Sequence, residues 1–407
     1  MCAKDTSQTQ RRYQSAATCL DFFEAVHRRR VDPLMYCHLT LEAPLECARL
    51  KHAVAQTRSV VPEVFCVYDF RRNAFVDEGF TVEAMVFSGA PPVRWRLDRR
   101  PQLQIYMNGR SLSIGMSHLL ADGRGFLQYL YLLAFFYRMP HAMWSPQNVR
   151  TPAPVIAAAR VQRPTMQTCR WRHWRMPPLR PRSTGKTALC VRERLTPPEF
   201  QRLHDKALRA HVTLNDALLA AYAQVSAQQK CLRTVVLPCP ADLRPYHAAA
   251  GETLTIANMT GLFRCVTIDM AASHSFSDTL QQVQLEMGLQ KSHQRCFEGL
   301  KTLQRLYCFL PTPVLAAIVQ VNHCPAVVSY SNIGCIDHEK LTFGEVGVTQ
   351  CYLTGSYRRP PDFQLTVSTF RQTCTLVSTL IGTPADGALA QQVLRRVKMA
   401  LMDWAAT

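Results

Sequence analysis

His118 and Asp122 stand four residues apart in the run His118-Leu119-Leu120-Ala121-Asp122-Gly123. An imidazole titrates near neutral pH, so a rigidly held histidine can take up a proton and return it within one reaction. An aspartate nearby can brace the loop, and a glycine permits a close turn into the next element. The same spacing also fits an aspartate capping a helix beside a core histidine, and six residues alone do not separate the two.

The flanking sequence predicts where these residues sit. Leu103 to Met107 and Arg110 to Met116 alternate polar and apolar residues around Asn108-Gly109, a strong hairpin signal. Phe126 to Tyr137 is a long apolar, helix-like run. His118 is therefore expected at a strand-to-helix junction, at the rim of a sheet. Ala43 to Ala55 predicts a short helix, and the region from about Tyr13 to Ala159 reads as α/β.

The second half opens with Thr196 and Glu199 in a capping-box pattern, with Phe200, Leu203, Ala207 and Leu208 on one helix face. Asn215 to Ala227 and Leu280 to Leu289 predict further helices. Phe363 to Phe370 and Thr373 to Ile381 predict a hairpin. A final helix aligns Leu389, Val393, Val397, Leu401 and Trp404. Leu306 to Val328 is interrupted by prolines and is expected to be buried core.

The net charge is +18, with no acidic residue between Asp122 and Glu193. Twelve basic residues fill that interval, among them Arg124, Arg150, Arg180, Lys186 and Arg192. Such a stretch could meet the phosphates of coenzyme A, an acidic carrier protein or nucleic acid, or simply be a solvated linker. Residues 163–187 carry four prolines and two tryptophans, Trp171 and Trp174, and are expected to link two halves. Gly185-Lys186-Thr187 resembles the end of a P-loop, but Arg180 occupies the place of its first glycine, so that reading fails. The sixteen cysteines form no CxxC pair, which argues against a metal cluster and for reduced thiols in a cytoplasmic protein. No apolar leader is visible, and no stretch is long enough to span a bilayer.

Four ordered segments carry a family resemblance. They are His118 to Gly123, Thr213-Leu214-Asn215-Asp216-Ala217-Leu218-Leu219-Ala220-Ala221-Tyr222, Asp242-Leu243-Arg244-Pro245-Tyr246 with Ile256 to Gly261 behind it, and Ser329-Tyr330-Ser331-Asn332-Ile333-Gly334. Together they resemble the chloramphenicol acetyltransferase-like superfamily of condensation domains and HxxxDG acyltransferases. The resemblance runs from about Tyr13 to Trp404. It implies an α/β fold of two chloramphenicol acetyltransferase-like subdomains, a V-shaped pseudo-dimer with a central tunnel whose walls are apolar. The divisions expected are 1–162, the linker 163–187, and 188–407.

The resemblance further implies an acyltransferase. His118 would be the general base that moves an acyl group from a thioester to an alcohol or amine. Asp122 and Gly123 would be structural, with Arg244 the expected partner of Asp122. Ser329, Ser331 and Asn332 are candidates to stabilise the oxyanion, or else to cap a turn. The imidazole is expected to keep one nitrogen free and the other fixed by a hydrogen bond. No metal and no permanently bound cofactor are expected; acyl-CoA or a phosphopantetheinyl acyl-carrier protein would be the co-substrate, and the chain a monomer.

Two departures refine this. Ser117 stands where peptide-forming condensation domains carry a second histidine, which favours a free-standing transferase. Pro361-Asp362-Phe363-Gln364-Leu365 does not match the DFGWG motif of plant members. The competing classes are a non-catalytic module that binds carrier proteins, and nucleic-acid binding through the basic stretch.

Overall fold

The computed structural model describes residues 13–91, 96–144, 146–162, 176–246, 253–267, 270, 275–323 and 325–407. In chain order the first half runs β1 (Gln14–Ala16), α1 (Cys19–His27), β2 (Val31–Asp32), β3 (Leu34–Leu41), α2 (Cys47–Thr57), β4 (Val67–Asp69), β5 (Ala74–Val76), β6 (Val86–Ser88), β7 (Leu103–Asn108), β8 (Ser111–Ser117), α3 (Gly123–Arg138) and α4 (Ala153–Ala158). The second half runs β9 (Thr187–Leu195), α5 (Pro197–Arg209), α6 (Leu214–Lys230), β10 (Val235–Asp242), β11 (Thr260–Thr267), α7 (Phe276–Ser292), α8 (Leu300–Phe309), α9 (Thr312–Asn322), β12 (Val328–Ile336), β13 (Val348–Leu353), β14 (Tyr357–Arg358), β15 (Phe363–Phe370), β16 (Thr373–Gly382) and α10 (Pro384–Ala406).

Two sheets organise these elements into two subdomains. The first sheet has the order β13-β3-β8-β7-β6, and the second β12-β15-β16-β14-β2 with β9 along β16. The halves exchange strands: β13 pairs with β3 from across the chain, and β2 pairs with β14. Cys37, Leu39, Ile105, Leu112, Ile114 and Met116 alternate along the first sheet and pack on α2 and α3 in one core. Tyr330, Leu365, Val367, Leu376 and Leu380 do the same in a second core against α6 and α10. Each sheet thus spends one face on its own helices, which leaves the other face free to build the space between subdomains.

Local sequence explains the helix starts. Thr213 and Asp216 form a reciprocal capping box at α6, with the Asp216 N–H donating to Thr213 Oγ1 at 3.1 Å. The Thr196 N–H donates to Glu199 Oε2 at 2.7 Å at α5. Along α10, Val393, Val397, Leu401 and Trp404 are buried, and Leu389 packs beside them. The β15–β16 hairpin turns at Arg371 and Gln372, both in the left-handed region, without a glycine.

Several expectations shift. The β7–β8 turn holds Gly109 and Arg110, because Asn108 is still paired with Ser111; Gly109 supplies the positive φ of 55°. The early helix begins at Cys47, not Ala43, and α7 is longer than 280–289. Leu208 is exposed, outside the stripe of Phe200, Leu203 and Ala207. The stretch from Leu306 to Val328 is only partly buried core: in the end of α8 and in α9, Leu315 and Val319 are buried while Phe309 is 84% and Val321 78% exposed. Residues 163–175, including Trp171 and Trp174, lie outside the described residues. In residues 176–187, Met176, Leu179 and Arg180 are buried, while Pro181, Arg182 and Lys186 are exposed. Arg180 is wholly buried and donates to the carbonyls of Asp362 (2.9 Å), Ile381 (3.1 Å) and Arg358 (2.8 Å). Arg180 is therefore not a solvated charge. Among the described residues, no helix is long and apolar enough to cross a membrane, and no grouping of His, Cys, Asp and Glu could hold a metal ion.

Candidate active site

β8 ends at Ser117, and a tight turn carries His118 to Asp122, which caps α3. The Asp122 Oδ1 accepts the Gly125 N–H at 2.8 Å, an ordinary N-cap bond. The same carboxylate also receives both Arg244 Nη atoms (3.0 and 3.1 Å), the Met259 N–H (2.7 Å) and the Thr260 hydroxyl (2.8 Å). The β10–β11 ribbon delivers these partners, its register running to Asp242 opposite Thr260. Arg244 is saturated in turn by Asp242 Oδ1 (2.9 Å), Thr255 Oγ1 (2.6 Å) and the Ala257 carbonyl (3.0 Å).

Burial alone would raise the Asp122 carboxyl. The Arg244 guanidinium and the N–H donors outweigh it and hold the group below the usual carboxylate range. All of these interactions stay within the protein, so Asp122 has no capacity left for a substrate. Its geometry is that of a brace.

A second network, absent from the sequence expectations, holds the other side of the loop. Asn258 Nδ2 donates to the His118 carbonyl at 2.9 Å and to Asp21 Oδ1 at 2.8 Å. Asp21, fully buried, also receives Arg150 Nη2 at 2.9 Å and the Thr18 N–H at 2.8 Å. Arg150 Nη1 donates to the Leu120 carbonyl at 3.1 Å. The His118 N–H donates to the Pro33 carbonyl at 2.6 Å. The backbone on both sides of His118 is thus tied to Pro33 between β2 and β3, to α1 and to the segment before β11. Asn258 lay inside a quoted motif, but nothing in its spacing showed that its amide would span two elements.

The ring itself is held differently from expectation. His118 is half-buried, and its Nδ1 is buried without a hydrogen-bond partner. Its main chain, rather than a bond to one ring nitrogen, fixes its position.

Glycine at 123 does more than ease a turn. It lies in the first turn of α3, and a Cβ there would come within 2.5 Å of Ile333 Cδ1. The SNxG strand, β12, therefore packs directly on the start of α3. Along β12, Tyr330 and Asn332 face the second core, where the Tyr330 hydroxyl and Asn332 Nδ2 both donate to Asn215 Oδ1 at 3.0 Å. This is the job of the Asn215 position in the α6 motif. Asn332 is committed there, and its Oδ1 also accepts the Gly334 N–H at 2.9 Å. Ser329 and Ser331 alternate to the opposite face, toward the first subdomain. Ser329 is 8% exposed, and its Oγ has no partner.

The chain folds like enzymes and domains of very different sequence. A trichothecene 15-O-acetyltransferase from Fusarium sporotrichioides superposes with a TM-score of 0.72 at 11% identity, covering 98% of this chain and 97% of that one. The first condensation domain of the calcium-dependent antibiotic synthetase gives 0.68 at 15% identity over 97% and 96%. Polyketide synthase associated protein 5 from Mycobacterium tuberculosis gives 0.68 at 12% identity over 95% and 97%. No family sequence model and no curated protein sequence matches the chain. At such low identity the likeness lies in the fold, over nearly the whole length of both chains: this protein has the two-subdomain fold seen in condensation domains and in that acetyltransferase.

Proposed function

We propose that the protein is an acyltransferase that moves an acyl group from a thioester to an alcohol or amine, with His118 as general base. The observation that carries this is the contrast around one loop. Five donors saturate Asp122, and Asn258 and Pro33 pin the backbone of His118, yet the imidazole itself is left uncommitted at the face between subdomains. A base held this rigidly satisfies the geometric requirement of proton transfer.

In the reaction, His118 takes the proton of the acceptor O–H or N–H as the acceptor's lone pair attacks the thioester carbonyl. The tetrahedral oxyanion then collapses, breaking the C–S bond, and the imidazolium returns the proton to the leaving thiolate. Ser329 and Ser331 are the hydroxyls that can donate to that oxyanion; Asn332 is withdrawn from the role by its bond to Asn215. Asp122, Gly123 and Arg244 act by positioning.

Support from structural neighbours is consistent in kind. One is an acetyltransferase, and another is a variant of the starter condensation domain of rhizomide synthetase in complex with C8-CoA. The donor here is an acyl-CoA or a phosphopantetheinyl acyl-carrier protein. The test is mass-spectrometric detection of acylated acceptor after incubation with acyl-CoAs and, separately, acyl-carrier proteins, for wild type and His118→Ala. Product that requires His118 supports the reading. Binding of carrier proteins without product from any donor supports a non-catalytic docking module instead.

A further inference from the structure

The face that each sheet turns toward the other is not apolar. On the first sheet, Tyr36, His38, Ser113, Gln104 and Tyr106 share that face. His38 Nδ1 lies 2.9 Å from Ser113 Oγ, and the Tyr106 hydroxyl donates to Gln104 Oε1 at 3.1 Å. On the second sheet, the strand register aligns Ser329 with Gln364, Ser331 with Thr366, and Ser368 with Thr375. The same register carries this face on to β9, where Thr379 pairs with Cys190, Val377 with Arg192, and Thr375 with Arg194. A wall built this way gives a fatty chain few partners and gives polar groups many.

The two sheets meet where charge accumulates. The Arg192 guanidinium sits 5.1 Å from the centre of the Tyr352 ring, which in turn lies 5.0 Å from the His38 ring. Arg194 stands two residues along β9, roughly 7 Å away on the same face. Neither arginine forms an ion pair with a carboxylate among the described residues. The neighbouring acid, Glu193, points to the opposite face, where it pairs with Arg395 at 3.0 Å. His38 adds no charge at neutral pH, because burial and the Arg192 charge lower it to about 4. Cys190, two residues before Arg192 on the same strand face, is exposed to solvent.

We propose that Arg192 and Arg194 form an anion-binding subsite of the cleft, which takes a carboxylate, sulfate or phosphate group of a substrate. This rests on the acyltransferase reading for its partner atom. His38 pairs with Ser113, four residues before Ser117 on β8, so the anionic group would lie ~14 Å along the strand from the His118 turn. The Arg192 guanidinium, planar and held against the Tyr352 ring, suits planar oxyanion recognition. The anion could belong to the acceptor, to the far end of the acyl chain, or to coenzyme A itself.

Cys190 provides a reporter independent of turnover. Alkylation by iodoacetate (anionic) and iodoacetamide (neutral) is compared at Cys190 and at exposed Cys47, peptide by peptide, by mass spectrometry. A concentrated positive potential raises the iodoacetate preference at Cys190 about tenfold over that at Cys47. In the Arg192→Gln, Arg194→Gln double variant that advantage disappears. Adipate, but not 1,6-hexanediol, protects Cys190 from iodoacetamide in the wild type. Equal preferences at the two cysteines, or equal protection by the diol, overturn the subsite.

The source of the anion is read by turnover in matched pairs: succinyl-CoA against butyryl-CoA, butyryl-CoA against S-butyryl-pantetheine, and leucine against leucinamide as acceptor. The pair whose anionic preference drops about tenfold in the double variant names the source. If no pair changes its preference, the subsite is not a substrate site. Should no thioester react at all, the acyltransferase reading fails while the alkylation ratio still decides the subsite.

Discussion

The His118 loop and the Arg192 wall are two opposite ways of treating charge. At the loop, every charged side chain is spent: Asp122 and Arg244 bind each other and their neighbours until no lone pair or proton is left over. At the wall, Arg192 and Arg194 share one strand face with hydroxyls, Arg192 lies against the Tyr352 ring, and neither forms an ion pair with a carboxylate among the described residues. The first arrangement stabilises a shape. The second leaves interaction capacity for something that is not the protein. The difference separates residues that position from residues that bind, and it does so without reference to motif.

The largest effect should come from breaking the saturated side. Arg244→Ala strands a buried Asp122 carboxylate and should cost about 3–5 kcal/mol of folding free energy, read by urea unfolding. An unfolding curve unchanged from wild type would mean that the brace is dispensable. Next, removing both free hydroxyls of β12, Ser329→Ala with Ser331→Ala, should lower kcat about a hundredfold at little cost in stability. Asn332→Ala should do the reverse, because its amide bonds to Asn215 rather than facing the cleft.

Asn258→Ala should follow, destabilising by roughly 1–3 kcal/mol, since it leaves the His118 carbonyl and Asp21 short of a donor. A smaller effect marks the wall. His38 is lowered from 6.5 to about 4 in the folded state, so the unfolded chain binds more protons between those values. Stability should therefore fall as pH drops from 6.5 toward 4, and His38→Gln should flatten that limb. An identical pH profile in the variant would separate His38 from the wall's electrostatics.

Much of this was legible beforehand where pattern equals structure. Alternation placed β7, β8, β15 and β16 nearly to the residue, and Thr196 with Glu199 announced the start of α5. The pairing of Asp122 with Arg244 was expected from the resemblance, and the two lie together at 3.0 Å. What stayed hidden were relations between distant segments. A polar strand face looks solvent-exposed in sequence, because periodicity shows that Ser329, Ser331 and Thr366 share a side but not that another sheet stands opposite. Arg180 looked like linker charge, since nothing local signals that three carbonyls will surround it. In α8 and α9, apolar content suggested burial, but only one stripe of each helix finds a core, leaving Phe309 outside.

The most direct measurement is thiol release from a series of acyl-CoAs, with an added alcohol or amine, by wild type and His118→Ala proteins of equal melting temperature. If His118 is the base and the braces are purely structural, the wild type releases thiol with at least one donor, and the variant, fully folded, is slower by about a hundredfold or more. Equal release from the two proteins would contradict the account.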